Sequence, residues 1–526
     1  MVAALDRDQA VLRYILEEHA GERGDAPFVQ FYGGESWSYG EVLDRVQRRA
    51  AALRDEGVGQ GDPVLTFMGN GPDLLITWFA INYLGAVYVP INTALIGGAL
   101  GHILGDAGAK VVVARPDLAL RLADVDSGSL TTVLLVEGTD TPILAGLEVR
   151  PLVDASYAET IPLDRPIEPW DTQAIMYTSG TTGRAKGVLS SYTQLYSMGP
   201  DAFDCVGPDD RCMICGPIFH CGSTLYVYAM LARGLSIGMM AEFKTDQFWD
   251  AVRETGSTFA LLLGVMASFL LKTPEAPRDR DHPLSHVFIV PYGEDAPAFA
   301  DRFGVDVWTI YNMTEISSPL HAGPLGKGDK IAAKGLAGTL RPWIEARVVD
   351  ENDIEVPKGE PGELILRSSR PWALMKGYLN RPEATAQAMR NGWFHTGDSF
   401  RQDADGQFYF VDRAKDVIRR RGENISSFAL EGEVLAHDDV RECAAVAVPS
   451  EHSEDEVMIV VTPVEHHRID PAALVSWLEA RVPRFMLPRF VRVMDDLPKT
   501  ASGKIQKHVL RGEGVTRDSW FPAAKR

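Results

Sequence analysis

Tyr177-Thr-Ser-Gly-Thr-Thr-Gly-Arg-Ala-Lys-Gly-Val188 is the stretch whose reading decides the fold. The apolar run Ala174–Tyr177 reads as a strand, and it opens into a loop of hydroxyls and glycines holding one Arg and one Lys. Glycine lets the backbone approach an anion closely, and successive N–H groups in such a loop form an anion-binding nest. Gly180 and Gly183 supply the open backbone. Thr178, Ser179, Thr181 and Thr182 add hydroxyl donors, and Lys186 adds charge. Four hydroxyls, three glycines and two cations within ten residues are too many for a plain surface turn. The spacing is Gly-x-x-Gly-x-x-Lys with no Ser or Thr after the Lys, so it is not the Walker A order.

Working outward, the flanking sequence alternates helical and strand-like runs. On the N-terminal side, helices are predicted over Tyr39–Glu56, Leu74–Tyr83 and Leu100–Ala107, with strands over Val64–Met68, Val87–Ile91 and Lys110–Ala114. Such alternation predicts parallel α/β layers. A second α/β block runs from about Gln173 to Ala322, with helices over Ser223–Arg233 and Phe259–Leu271 and strands over Ser236–Met240 and His286–Pro291. From Gly335 to Arg367 short strands and Pro/Gly turns predict a β-rich subdomain, and from about Asp412 the chain mixes α and β elements. Gly57-Val-Gly-Gln-Gly61 follows a helix rather than a strand, so it reads as a turn and not a dinucleotide fingerprint.

Composition narrows the function. The chain has 526 residues, too many for one ordinary core. Its formal charge is 52 − 72 = −20, which points away from nucleic acid as a partner. Met1–Ala10 has no apolar run behind a basic start, so no secretory leader is expected. The longest apolar stretch, Leu74–Ile91, contains Thr77, Asn82, Gly85 and Pro90 and reads as a buried helix, a turn and a strand rather than a membrane span. Five cysteines make no disulfide framework, and a reducing cytoplasm is expected. Four of them cluster, at 205, 212, 215 and 221, with His220 nearby. Met213–Phe219 reads as a strand that puts Cys212 and Cys215 on opposite faces, so buried thiols are favoured over a zinc site.

Further motifs follow in order: Tyr311-Asn-Met-Thr-Glu315, Trp393-Phe-His-Thr-Gly-Asp398, Val411-Asp-Arg-Ala-Lys-Asp-Val417 and Pro498-Lys-Thr-Ala-Ser-Gly-Lys504. With the loop at Thr178–Gly187, they resemble the adenylate-forming superfamily: acyl-CoA synthetases, adenylation domains of peptide synthetases, and luciferases. The resemblance runs from about Gln30 to Arg511. It implies a large N-terminal AMP-binding domain, residues 1–413, of two α/β subdomains plus a β-rich subdomain. A small mobile α+β C-terminal domain, residues 414–526, would carry the catalytic lysine.

The resemblance also assigns roles. Tyr311 stacks on adenine, Thr314 meets the α-phosphate region, and Glu315 with Thr178 holds Mg²⁺. Asp398 and Arg413 contact the ribose, Lys415 is the hinge, and Lys504 is the essential lysine. Two positions depart from the family pattern: Ala185 replaces a usual Pro, and Asn312, beside the acyl pocket, replaces a usual Gly. The implied chemistry is attack of a carboxylate on the α-phosphorus of ATP, giving an acyl-adenylate and pyrophosphate. Two anions meet in that step, so cations around the phosphates are required.

The second acceptor is read from Phe219-His220. Peptide-synthetase domains place Asp after this Phe to bind an amine, whereas in acyl-CoA synthetases a His here gates the acyl pocket. That implies a plain carboxylic acid and coenzyme A, with a carrier-protein thiol as the alternative acceptor and no carrier domain expected on this chain. A catalytically inactive adenylate-binding relative is the other alternative, though Glu315, Asp398 and Lys504 are all present. His220, Cys221, Gly222, Ser223, Tyr226, Val265, Asn312 and the neighbourhood of Tyr292–Glu294 are expected around the acyl group. Ile418-Arg-Arg-Arg-Gly-Glu-Asn424 resembles the loop that lines the pantetheine tunnel, with Gly422 against the ligand and the arginines toward coenzyme A phosphates. Its Arg-Gly-Glu-Asn-Ile-Ser portion resembles the crotonobetaine/carnitine-CoA ligase branch. A homodimer is compatible with this reading.

Overall fold

The computed structural model describes residues 4–123, 125–137, 142–178, 185–203, 205–293, 295–325, 335–413, 416, 418–420, 423–425, 427–449, 455–479, 481–482, 484–500 and 503–521. They form two compact units. The first takes the described residues through 178, then 185–345 and 367–394; the second takes 346–366 and those from 395 onward.

Two sheets organise the first unit. One has the strand order Gly377–Tyr378, Lys186–Ser191, Thr172–Thr178, Val87–Pro90, Pro63–Phe67, Val111–Ala114, Thr132–Leu135, Glu148–Pro151. From Thr172–Thr178 onward the neighbours are parallel, and the first two strands are added antiparallel. The other sheet, within this unit, runs Leu336–Leu340, Ser317–Leu325, Asp306–Met313, His286–Val290, Phe259–Leu263, Arg211–Ile214, Ser236–Met239, Pro27–Phe31, Ser36–Ser38. Its centre is parallel and its two ends are antiparallel. The predicted α/β blocks do not map one to one onto these sheets: Thr172–Thr178 and Lys186–Ser191, from the second block, join the first sheet, and the N-terminal strands Pro27–Phe31 and Ser36–Ser38 join the second.

Local chemistry sets the element ends. Helix Tyr39–Asp55 starts at Ser38 with a capping box: Glu41 N donates to Ser38 Oγ and Ser38 N donates to Glu41 Oε2. Helix Pro72–Tyr83 has Pro at its first turn, where the missing N–H costs nothing. It is apolar all round and buried. Its polar groups are satisfied internally: Arg49 Nη1 donates to Thr77 Oγ1 at 2.7 Å, and Asn82 Nδ2 donates to Gln173 O at 2.9 Å. The stretch Leu74–Ile91 is therefore a core helix, turn and strand, as read. No helix among the described residues is long and apolar enough to cross a membrane.

Two readings change. Phe259–Leu271 is not one helix: Phe259–Leu263 is a strand, paired in parallel with His286–Val290, and the helix is Gly264–Leu271. An apolar run of that length fits a buried strand or a helix equally well, and its neighbour strands decide. Met213–Phe219 is strand only as far as Ile214. Cys212 and Cys215 are buried, and none of the five cysteines forms a disulfide. Burial pushes the Cys212 thiol well up, and pushes Cys215 up to about 12. The turn at Gly57–Gly61 is present.

The second unit contains the antiparallel hairpin of Phe394–Gln402, from His395 on, with Phe408–Arg413, in register Asp398↔Arg413. Beyond it lie the small hairpin Ile418–Arg420 with Glu423–Ile425 and a sheet of Val440–Pro449, Asp455–Pro463 and Phe490–Val493. Helices Ser427–Leu435, Pro471–Leu478 and Lys507–Glu513 accompany it, around a core that includes Ile425, Leu430, Val457 and Val491.

Candidate active site

The strands on either side of the Thr178–Gly187 stretch pair with each other in antiparallel fashion. Thr178 ends its strand opposite Lys186, and Thr178 Oγ1 donates to Lys186 O at 3.4 Å. Gly187 is needed for close approach, because a Cβ there would sit 2.8 Å from Ile175 Cγ2. Ala185 O meets His102 Nε2 at 2.8 Å, so the carbonyl at the position that departs from the family pattern is fixed. Ser179, Gly180, Thr181, Thr182 and Gly183 lie outside the described residues, as do Lys415 and Gly422.

Lys186 places its ammonium 4.5 Å from the centroid of the Tyr378 ring. The Tyr378 hydroxyl donates to Glu315 Oε1 at 3.0 Å. Burial and the Glu315 charge push the Tyr378 hydroxyl far above the usual phenol range, so it stays a donor. A cation and a carboxylate from segments far apart in sequence thus meet at one ring.

Tyr311, Asn312 and Met313 end the strand Asp306–Met313, and residues 314–316 turn tightly into Ser317–Leu325, with Met313 opposite Ser317. Tyr311 is partly exposed, and its hydroxyl points to Met313 Sδ at 3.1 Å. Glu315 is buried at 7% exposure, and its carbonyl accepts from Met375 N at 2.8 Å. Gln194 Nε2 donates to Thr314 O at 2.8 Å.

Helix Cys221–Ala232 brings the expected acyl-pocket residues together at its N-terminus. His220 is the N-cap, and its carbonyl accepts from Ser223 N and Thr224 N. Its ring lies 5.6 Å from that of Phe219. Cys221 Sγ is 3.1 Å from Thr314 Oγ1, which links this helix to the Thr314 turn. Gly222 and Ser223 occupy the same first turn. Tyr226 is placed differently. It is buried in an aromatic cluster with Phe203, Phe259 and Phe288, stacked on Phe203 at 4.5 Å. Val265 is exposed, Tyr292 is buried, and Glu294 lies outside the described residues.

In the second unit, Asp398 is buried on its hairpin, and the backbone register sets position 413 directly opposite it. Glu363 shapes the approach to Asp398: its two oxygens meet Gly397 N at 2.9 Å and His395 Nδ1 at 3.0 Å. Lys504 is exposed and closes a tight turn in which Thr500 N donates to Lys504 O at 2.7 Å and Lys504 N to Thr500 Oγ1 at 3.1 Å. Lys499, the other lysine of this motif, is held by Glu442 and Asp496, each at 2.8 Å. Arg420 does not face outward as the basic run implied. It is buried and paired with Glu456 at 2.6 Å, which strand alternation turns inward. Tyr378 is the residue that the sequence reading missed; nothing in Gly377-Tyr378-Leu379 marks it locally.

The donors around Glu315 and Thr178 are carboxylate and hydroxyl oxygens, which suit Mg²⁺. Among the described residues no group of three or more His, Cys, Asp or Glu could hold a metal. Mg²⁺ held by one carboxylate and substrate phosphates needs no such group.

A family model described as AMP-binding enzyme matches residues 16–379, and one described as AMP-binding enzyme C-terminal domain matches residues 429–504. A crotonobetaine/carnitine–CoA ligase of Salmonella paratyphi C (strain RKS4594) is 30% identical over 516 residues, covering 95% of this chain and 98% of that protein. The crystal structure of ATP-bound MatB from Rhodopseudomonas palustris is similar at TM-score 0.80 and 26% identity, covering 95% of this chain and 98% of that one. The amide bond synthetase McbA from Marinactinospora thermotolerans is similar at TM-score 0.80 and 25% identity, over 95% and 99% of the two chains. The first family model alone runs through well over half of the sequence, and this chain belongs to the AMP-binding enzyme family.

Proposed function

We infer that this chain is an ATP-dependent, AMP-forming acyl-CoA ligase. It joins a carboxylic acid to ATP, releasing pyrophosphate, and then passes the acyl group from the acyl-adenylate to coenzyme A, releasing AMP. The observation that carries this is the meeting of Lys186 and Glu315 at Tyr378, which puts a cation and an oxygen ligand beside the hairpin that bounds the loop.

The residues divide the work by charge. Lys186 draws the triphosphate toward the loop, and Tyr311 offers a partly exposed ring for adenine. Asp398 accepts from the ribose hydroxyls, with Arg413 beside it in register. Thr314 donates to the α-phosphate region. Bound Mg²⁺ supplies Lewis-acid charge to the phosphate oxygens, and Glu315 and Thr178 are the residues that would hold it. Lys504 stabilises the charge that builds between the attacking carboxylate and the α-phosphorus. We further propose that residues 414–526 turn about Lys415, withdrawing Lys504 and bringing Gly422 to the pantetheine arm for thioester formation.

The acid class follows the same reading. His220 and the first turn of its helix line the acyl group, and crotonobetaine- and carnitine-like acids head the substrate panel because a relative of that name covers 95% of this chain. Residence in the cytoplasm fits five cysteines outside any disulfide and the pools of ATP and coenzyme A. An amine or a carrier-protein thiol as acceptor is the competing outcome.

The test is pyrophosphate release over a panel of acids, with and without coenzyme A. Thioester formation in step with pyrophosphate is the expected result. Release without thioester would transfer the second step to another acceptor, and no release with any acid would make the chain an adenylate-binding relative.

A further inference from the structure

We propose that Tyr378 is a positioning residue of the adenylation step, which holds the Glu315 carboxylate in place for the metal and seats Lys186 for the triphosphate. The proposal rests on the roles given above to Glu315 and Lys186 and adds a third residue to them.

Tyr378 touches both groups through different parts of one side chain. Its hydroxyl meets Glu315 Oε1 at 3.0 Å, and its ring face takes the Lys186 ammonium at 4.5 Å. The face of an aromatic ring is electron-rich and attracts a cation, while a phenol O–H donates to a carboxylate. A single rigid ring therefore fixes where a positive and a negative group stand relative to each other. A flexible residue could satisfy one of the two contacts but not fix both.

The backbone gives that ring a firm base. Gly377 and Tyr378 form a short antiparallel strand against Leu189 and Val188, on the same strand that begins with Lys186. Leu379 N donates to Gly187 O at 2.7 Å, and Tyr378 N donates to Thr385 Oγ1 at 2.9 Å. On the other side Met375 N donates to Glu315 O at 2.8 Å. Residues 375–379 are thus tied to the Lys186 strand and to the Glu315 turn at once.

A hydrogen-bond partner of a ligating carboxylate typically changes metal affinity by about ten- to a hundred-fold when removed. Tyr378→Phe deletes the hydroxyl and keeps the ring on which Lys186 sits. The readout is Mn²⁺ affinity of the protein saturated with a non-hydrolysable ATP analogue, followed by electron paramagnetic resonance, with AMP affinity by calorimetry as the metal-free reference. The variants are Tyr378→Phe, Glu315→Gln and the two combined.

Expected is a loss of Mn²⁺ affinity of about ten-fold in Tyr378→Phe, AMP affinity within about two-fold of the parent, and a double variant no worse than Glu315→Gln alone. Loss in Glu315→Gln but none in Tyr378→Phe would overturn the positioning role and leave the Glu315 role intact. No loss in either would remove the metal role of Glu315 and the proposal with it. Losses that simply add in the double variant, or equal loss of AMP binding, would show that the hydroxyl acts through general packing and not through Glu315.

Discussion

The sulfur of Cys221 lies 3.1 Å from the hydroxyl oxygen of Thr314, joining the first residue of the helix behind His220 to the turn that carries Glu315. For Thr314 to donate to an incoming phosphate, the thiol must be the donor in this contact, and a weak one. Cys221→Ser keeps a donor and is expected to retain pyrophosphate formation. Cys221→Val removes it and is expected to slow that step about five- to ten-fold, the equivalent of one hydrogen bond of about 1 kcal/mol. Steady-state pyrophosphate release for the two variants checks this, and equal rates would remove Cys221 from the site.

Lys504→Ala is expected to abolish adenylation while sparing thioester formation from supplied acyl-adenylate and coenzyme A. The lysine is exposed at the end of a turn closed by Thr500, so its loss disturbs little packing. Assaying the half-reactions separately decides it; matching losses in both would contradict a role confined to the first.

Lys415→Pro addresses the turning movement. Proline fixes φ at about −65°, so a hinge there cannot rotate freely. Thioester formation should fall and pyrophosphate release in the first turnover should persist. Normal coupled turnover would refute the hinge assignment.

Stability of the second unit depends on a buried ion cluster. Glu456 is 3% exposed, with Arg420 at 2.6 Å and Arg489 at 3.3 Å. Glu456→Ala leaves the buried Arg420 without this partner, and the expected cost is about 3–5 kcal/mol. A urea melt followed by a probe in this unit reads the loss. A change below about 1 kcal/mol would mean that the pair is solvated.

Alkaline pH should weaken the fold through the thiols. Burial raises Cys215 from its ordinary value near 9 to about 12, and raises Cys212 and Cys443 well up too. An acid raised in the folded state binds its proton there more tightly than in the unfolded chain. Its contribution is therefore full below about pH 9 and is lost as pH climbs toward 12, at about 1.4 kcal/mol per pH unit for each thiol. Urea midpoints at successive pH values from 8 to 11 should fall, and native-state alkylation at pH 8 should spare these three cysteines. Prompt labelling of Cys212 or Cys215 would contradict their burial.

Residues close in sequence were readable, and those brought together by folding were not. The helices at Tyr39–Asp55 and Pro72–Tyr83 follow from periodicity, capping and Pro placement, all local causes. Phe259–Leu263 was not legible as a strand, because an apolar run takes its form from the strands beside it. The run Ile418–Asn424 implies arginines turned toward coenzyme A phosphates, whereas Arg420 is buried against Glu456, a partner some thirty-six residues away that no local pattern reports.

The sequence by itself determined the composition of the stretch Thr178–Gly187, the order of the later motifs and the strand–helix alternation that predicts parallel α/β layers. Hydroxyls, glycines and a lysine within ten residues carry their chemistry wherever the loop is placed. Only the tertiary structure decided which residues share a site. Lys186, Glu315 and Tyr378 come from three separate segments, and no local pattern reports that one aromatic ring touches both charges. The antiparallel addition of Lys186–Ser191 and Gly377–Tyr378 to a parallel sheet brings them together, because strand pairing fixes register across any length of intervening chain.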